Sequence, residues 1–147
     1  MSDFQLAQLN VAKMKYSVNS HEMNSFVSKL DIINSIADRT SGFIWRSQSA
    51  DENLIVTKLF GSQMIINMSV WSDINMLHNF VYKTEHKEMM SKRNEWFEKL
   101  DYAYSVLWWI PKNTKPTFVE AKEKLRLLND VGETVDAFTF KNLFPAP

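Results

Sequence analysis

The sequence contains no cysteine, few glycines and no net charge. Without cysteine, the 147-residue chain can form no disulfide, thiolate metal site or thiol nucleophile. The three glycines, Gly42, Gly61 and Gly132, lie too far apart for a phosphate-binding glycine-rich loop. The 17 basic and 17 acidic residues cancel, so the sequence shows no electrostatic signature of nucleic acid or anionic membrane binding.

Long apolar runs are also missing. No uninterrupted apolar stretch approaches the ~18 residues of a membrane span, and the N-terminus has no basic-then-apolar signal pattern. The length fits one domain, which we place over residues 1–147. These features predict a cytoplasmic protein that has neither nucleic acid nor membrane as a partner.

Aromatic residues, by contrast, are abundant: they make up 13% of the chain, and hydrophobic residues make up 45%. These residues follow a regular order of elements. We predict strands over 4–12, 42–48, 64–71 and 102–110, a short extra strand over 54–60, and helices over 19–41, 72–100 (broken near Thr84) and 117–131. The segment 134–147 is predicted to lie extended over the body or over a partner chain.

This order predicts an α+β fold of the ferredoxin-like βαββαβ type with an extra C-terminal helix and an extended tail. In such a fold two helices cover one face of the sheet, and we expect the other face to be bare. Successive side chains of a strand point to opposite faces of the sheet, and this alternation places Leu6, Ile65, Trp71 and one of Trp108 and Trp109 on that bare face. A homodimer would bury this face and enclose a cavity, forming a dimeric α/β barrel.

Polar residues interrupt the apolar face at four positions: Gln8, Asn10, Asn67 and Ser69. Buried amides and hydroxyls without partners cost about 1–3 kcal/mol each. The four residues therefore either orient a small hydrophobic or aromatic ligand or form a satisfied polar network at the dimer interface. Trp71, at the end of its strand, lines the cavity mouth or packs in the core.

Two further residues have alternative interpretations. Arg46 is either an inward-facing anchor for a carboxylate or enolate, sharing a face with Ile44 and Gln48, or an outward-facing salt-bridge residue. His86, at the helix break, is a general base, an axial haem ligand or a surface histidine. Because the three histidines lack metal-ligand spacing, no protein-only metal site is predicted.

Several segments resemble an uncharacterised bacterial family of the dimeric α/β-barrel superfamily, related to the antibiotic-biosynthesis monooxygenases. They are G-F-I-W-R at 42–46, N-M-S-V-W at 67–71, F-V-Y at 80–82, E-W-F at 95–97, L-W-W-I-P at 107–111 and A-F-T-F…F-P-A-P at 137–147. The resemblance implies the fold and the dimer but no reaction. In the haem-degrading members, an Asn on strand one corresponds to Asn10 and a later His corresponds loosely to His86. The Trp on the helix after strand three, which those members also use, is replaced here by Phe80 or Val81.

Three functions are compatible with these features. The first is a small-molecule oxygenase acting on an aromatic or polycyclic substrate, in which Asn10, Trp71 and His86 have catalytic roles and Gln8, Arg46, Asn67 and Ser69 bind the ligand. The second is a haem protein of the same fold, with His86 as the metal ligand. The third is a non-catalytic ligand-binding or stress-response protein. The cofactor is accordingly either none or haem.

Overall fold

The computed structural model describes residues 3–17, 19–47, 53–83 and 85–147, and gives the backbone alone for residues 53, 54, 83, 85, 86 and 89. The strands are β1 (Phe4–Met14), β2 (Phe43–Arg46), β3 (Met64–Trp71), β4 (Phe97–Glu98) and β5 (Ser105–Pro111). The helices are α1 (Asn24–Arg39), α2 (Asn53–Phe60), α3 (Ile74–Lys83), α4 (Glu85–Ser91) and α5 (Phe118–Val131). Short 3-10 turns at His21–Met23 and Arg93–Glu95 precede α1 and β4.

The strands form one antiparallel sheet with β1 at its centre. β3 pairs with one edge of β1, β5 and the short β4 pair with its other edge, and β2 lies outside β3. The order β5-β1-β3-β2, with a helix connecting β1 to β2 and another following β3, is the ferredoxin-like arrangement that the sequence predicts. The α+β fold class is therefore confirmed.

Both faces of the sheet are covered within this one chain. On one face Leu6 and Trp71 pack against Ile33 of α1 and Leu77 of α3. On the other face, Val70 and its neighbours pack against α2 and α5, with Ala121 fully buried. The prediction that the face carrying Leu6 and Trp71 is bare was wrong, because α1 and α3 cover that face; the two additional helices, α2 and α5, cover the opposite one. The argument for a dimer from an exposed sheet face fails with it.

The segment 54–60, predicted as a short strand, is the helix α2. Short apolar runs do not distinguish helix from strand by periodicity alone. Here Val56, Leu59 and Phe60 recur at helical spacing and pack against the buried cluster behind the sheet. The polar stretch 49–52 and Gln48, at the end of the second predicted strand, lie outside the described residues.

The region predicted as a helix over 72–100 ends earlier than expected. The helix α4 stops at Ser91, and Phe97–Glu98 form β4, which pairs with Lys13 and Met14 of β1. Trp96 is buried, but it lies just before this strand and not on the predicted helix, and its ring centroid is 5.5 Å from that of Phe26. Thr84, where the break was predicted, is outside the described residues.

The C-terminal helix begins and ends at the residues that the sequence indicates. The Thr117 hydroxyl accepts a hydrogen bond from the backbone N–H of Glu120, and the chain leaves the helix at Gly132 with a φ of 95°. The tail then packs on its own chain: Phe138 exchanges both backbone hydrogen bonds with Leu107 of β5 and is fully buried.

Candidate functional site

A gap lies between one face of the sheet and the helices α1 and α3. The strands β1, β2 and β3 form its floor, and α1 and α3 form its roof; the space between atoms is about 370 Å³, including its open mouth. Its lining is mixed: seven of the thirteen lining residues are apolar and six are polar or charged, most of the latter on the strands of the floor. The apolar ones are Ile33, Ala37, Phe43, Trp71, Leu77, Phe80 and Val81.

The floor of the gap carries four neighbouring polar residues, Gln8, Asn10, Asn67 and Ser69, here called the polar row. The antiparallel register places Gln8 opposite Ser69 and Asn10 opposite Asn67. Gln8 Nε2 donates to Ser69 Oγ (2.8 Å) and to Asn67 Oδ1 (3.3 Å), and Asn10 Nδ2 donates to Gln8 Oε1 (2.8 Å). The structure thus brings together all four residues that alternation in the sequence placed on one face.

Trp71 forms an aromatic wall beside the polar row. Its ring centroid is 5.1 Å from that of Phe80 and 5.4 Å from that of Phe43. Its indole Nε1 donates to Ser69 Oγ at 2.9 Å. The tryptophan therefore offers a ligand its ring, while its N–H is already bound.

The polar row retains hydrogen-bonding groups that no described residue satisfies. Asn67 uses its oxygen but not its Nδ2, and Ser69 Oγ accepts from Gln8 and Trp71 while its own hydrogen is donated to no described residue. Gln8 and Ser69 are buried, and Asn10 and Asn67 are half-buried. The floor therefore presents two kinds of donor, an amide N–H and a hydroxyl, to whatever occupies the gap.

Arg46 faces the gap and is already paired. Its Nε and Nη2 donate to the two carboxylate oxygens of Asp38 at 2.9 and 3.2 Å, a bidentate contact across the connection from α1 to β2. A bulge between Phe43 and Trp45 interrupts the alternation of β2, and Ile44 points to solvent. Arg46 therefore shares its face with Phe43, not with Ile44 as one interpretation expected.

The histidines are placed as follows. His86 lies in α4, and its side chain is outside the described part of the structure. His78 is exposed on α3, with its ring 4.5 Å from that of Tyr82 and 5.6 Å from that of Phe140. His21 is exposed in the turn before α1. Over residues 3–17, 19–47, 53–83 and 85–147, no three His, Asp or Glu side chains come together as a metal site.

The residues of the gap do not fit a haem. A haem needs a flat slot as wide as its macrocycle, and here Leu77, Phe80 and Val81 of α3 lie directly over the floor. The propionates of a haem also need cationic partners, whereas the guanidinium of Arg46 already pairs with Asp38. We therefore derive no chemistry through haem.

Sequence analysis did not identify several residues of the site. Phe43 and Phe80 belong to motifs that were noted only for their resemblance to a family, and Asn34 and Asp38 were not recognised as neighbours of the site. Helical spacing does provide a signal for α1, because the apolar residues Ile33 and Ala37 lie four positions apart and are both buried. Asn34 is next to Ile33 and also lines the gap.

Solved structures provide matches in fold at low sequence identity. NE2512, a protein of unknown function from Nitrosomonas europaea, is similar with a TM-score of 0.50 and 9% identity, over 78% of this chain and 95% of that chain. SnoaB, a cofactor-independent oxygenase from Streptomyces nogalater, is similar with a TM-score of 0.47 and 13% identity, over 80% of this chain and 98% of that chain. A mutant of SnoaB gives a TM-score of 0.48 at 10% identity, over 78% of this chain and 97% of that chain.

Comparison at the sequence level gives a family but no activity. No curated protein matches the chain. Among the described residues, no helix has the length and apolar character needed to cross a bilayer. A family model matches residues 5–147, nearly the whole chain, as the resemblance to an uncharacterised family predicted. The chain therefore belongs to the family described as domain of unknown function DUF3291.

Proposed function

We propose that this protein is a small-molecule oxygenase that acts on an aromatic substrate held between the sheet and helices α1 and α3. The observation that carries the proposal is the polar row, in which Asn67 and Ser69 keep donors that no described residue accepts, at the floor of a gap with apolar walls from Trp71, Leu77 and Phe80. Groups of this kind stabilise an oxygen atom on which negative charge develops. The surrounding aromatic and aliphatic side chains match the body of an aromatic ring.

The proposed chemistry requires no cofactor. A base removes a proton from a phenol or from the CH2 group of an anthrone, and the resulting anion transfers electrons to O2. For an anthrone, the CH2 group and O2 become a ketone and water, which balances both atoms and electrons. Asn67 and Ser69 stabilise the ring oxygen as the anion forms, Asn10 orients the substrate, and the ring of Trp71 packs against it. His86 is proposed as the base.

The size of the gap restricts the substrate. Without the open mouth, the volume of the gap is about 20 Å³, which is room for about one water molecule. An aromatic substrate of any size therefore requires α3, which carries Leu77, Phe80 and Val81 over the floor, to move away from the sheet.

The test uses air-saturated buffer with dithranol, an anthrone, and methylhydroquinone, a single-ring substrate. The wild-type protein is expected to consume O2, forming the ketone and water from dithranol, and the quinone and H2O2 from methylhydroquinone, whose two electrons and two protons pass to O2. Asn67→Ala and His86→Ala are expected to lower the rate by about 100-fold or more. His78→Ala is the matched control, because His78 is exposed and contacts Tyr82 and Phe140 outside the gap. Equal rates for His86→Ala and His78→Ala would refute the role of His86.

Saturable binding of both compounds without turnover would support the non-catalytic ligand-binding alternative instead. The homodimer that the family resemblance implies stays a prediction. Light scattering at micromolar concentration tests it, and a monomer that retains activity would show that the site is complete within one chain.

A further inference from the structure

Gln8 occupies a central position in the polar row. Its side-chain amide hydrogen-bonds to all three other members: Ser69 and Asn67 accept from its nitrogen, and Asn10 donates to its oxygen. The side chain is only 7% exposed. Gln8 thus connects the polar groups of β1 with those of β3 beneath the gap.

Ser69 Oγ accepts two of these hydrogen bonds, one from Trp71 and one from Gln8. An indole N–H can only donate, so Ser69 Oγ accepts from Trp71, and Gln8 Nε2 fills its second acceptor position. The Ser69 hydroxyl hydrogen is then left to donate to a third group. Because Gln8 Nε2 also donates to Asn67 Oδ1, the Nδ2 group of Asn67 is left for the gap.

The oxygen of the Gln8 side chain takes part in a hydrogen bond of the opposite direction, in which Gln8 is the acceptor. Asn10 donates to Gln8 Oε1, so the Oδ1 of Asn10 remains an acceptor. The floor of the gap therefore presents donors beside Asn67 and Ser69 and an acceptor at Asn10. A ring that carries a phenolate or carbonyl oxygen near a hydroxyl group has the complementary pattern.

We infer that Gln8 is a positioning residue that orients Asn67, Ser69 and Asn10 toward a ligand, and that the site binds the phenolate form of an aromatic ligand in preference to the neutral phenol. This inference rests on the proposed function, since it assumes that the ligand binds on the polar row. Gln8 acts through its neighbours.

Replacing Gln8 with Glu reverses the direction of the network at almost constant volume. An ionised carboxylate only accepts, so Asn67 must turn its Nδ2 toward Glu and Ser69 must donate its hydrogen to it. Both donors are then withdrawn from the gap, and a buried negative charge faces the ligand oxygen. The site should lose its preference for a phenolate over the neutral phenol.

The experiment measures the binding of para-nitrophenol by absorbance, together with the apparent pKa of the bound phenol. In the wild-type protein, donation from Asn67 and Ser69 favours the phenolate, so the pKa of the bound phenol should fall below its value in water. In Gln8→Glu this pKa should rise by about one to two pH units relative to wild type. Phenolate affinity should fall by about tenfold or more.

Gln5→Glu is the matched control. Gln5 lies three residues earlier on β1, is also buried, and belongs to the opposite face of the sheet, outside the polar row. It introduces the same charge into the same strand and is expected to leave the pKa of the bound phenol unchanged. Thermal unfolding of both variants shows whether each is folded under the conditions of the titration.

Three outcomes overturn the inference. If the wild type does not bind para-nitrophenol, the proposed site fails and the role of Gln8 fails with it. If the wild type binds it and Asn67→Ala does not, but Gln8→Glu binds with wild-type affinity and pKa, the role of Gln8 alone fails. If Gln8→Glu does not fold, Gln8→Met, which neither donates nor accepts, takes its place; an unchanged pKa of the bound phenol in that variant also refutes the inference.

Discussion

Trp71 and Ser69 lie two residues apart on β3, and the indole N–H of Trp71 donates to Ser69 Oγ at 2.9 Å. Trp71 is almost fully buried and stacks beside Phe80. Its ring contributes to the wall of the gap, and its N–H contributes to the polar row. These two contributions can be separated by substitution.

Trp71→Phe removes the N–H but keeps an aromatic ring. We expect it to lower the free energy of unfolding by about 1–3 kcal/mol, through the lost hydrogen bond and the smaller ring. The affinity for para-nitrophenol should change less than about threefold, because the indole N–H does not face the ligand. Trp71→Ala should cost about 3–5 kcal/mol and abolish binding. Abolished binding in Trp71→Phe would show that the N–H contacts the ligand directly.

Asp38 competes with any anionic ligand for Arg46. In Asp38→Asn the guanidinium is released, so benzoate binding should tighten by up to about fivefold, corresponding to the ~1 kcal/mol of a partly exposed ion pair. Stability should fall by less than about 1 kcal/mol. Calorimetric titration measures the affinity, and Arg46→Met serves as the control that should show no tightening. Weaker benzoate binding in Asp38→Asn would mean that Arg46 needs Asp38 to hold its position.

The tail behaves as part of the core in this structure. Phe138→Ala should lower the free energy of unfolding in urea by about 3–5 kcal/mol, since its ring is fully buried. Leu143→Ala, in the same tail, should change it by less than about 0.5 kcal/mol because Leu143 is 48% exposed. Equal, small effects of the two substitutions would indicate that the tail does not stabilise its own chain.

Glu133, at the start of the tail, should make stability depend on pH. Hydrogen bonds from Thr139 and Asn142 lower the pKa of this carboxyl below its usual value. This contribution is complete above the unfolded pKa of about 4.3 and is lost as the pH falls through the lower folded pKa. In Glu133→Gln this contribution is absent, so the urea midpoint should fall less between neutral and acidic pH than it does in the wild type. Glu22→Gln is the control. If the urea midpoint of Glu133→Gln falls as much as that of the wild type, the prediction is wrong.

Gly42 connects α1 to β2 beneath the start of α3. Its φ is 91°, and a Cβ atom there would lie 2.5 Å from Met76 Cβ. Gly132 has a similar φ of 95° but open space around it. Gly42→Ala should therefore destabilise the protein by about 1–3 kcal/mol more than Gly132→Ala in thermal or urea unfolding. Equal losses would show that backbone strain, and not contact with Met76, dominates at Gly42.

The strand β3 could be predicted to the residue, because its alternation is regular and one face is entirely apolar. Alternation along β1 and β3 together placed all four members of the polar row on one face. Local pattern was insufficient for β2, where the bulge between Phe43 and Trp45 shifts the register by one residue and turns Arg46 toward the gap.

Coverage of the sheet by helices could not be predicted from local pattern either. The segment 54–60 is too short and too apolar for its periodicity to distinguish a helix from a strand. Whether α2 and α5 lie on the sheet or away from it depends on contacts between residues far apart in the sequence, such as Trp108 Nε1 with Glu120 Oε2 at 2.8 Å. The polar row was located correctly on its strands, but its covering was attributed to a partner chain, because α1 and α3 were expected on the opposite face, where α2 and α5 lie.

The pairing of Phe138 with Leu107 has a consequence for how this sheet meets other molecules. Exposed strand edges are templates on which further strands add, and they favour aggregation. At β5 the tail occupies part of that edge with two backbone hydrogen bonds. At the opposite edge, β2 is only four residues long and bulged. The sheet is thus protected at both ends against edge-to-edge growth.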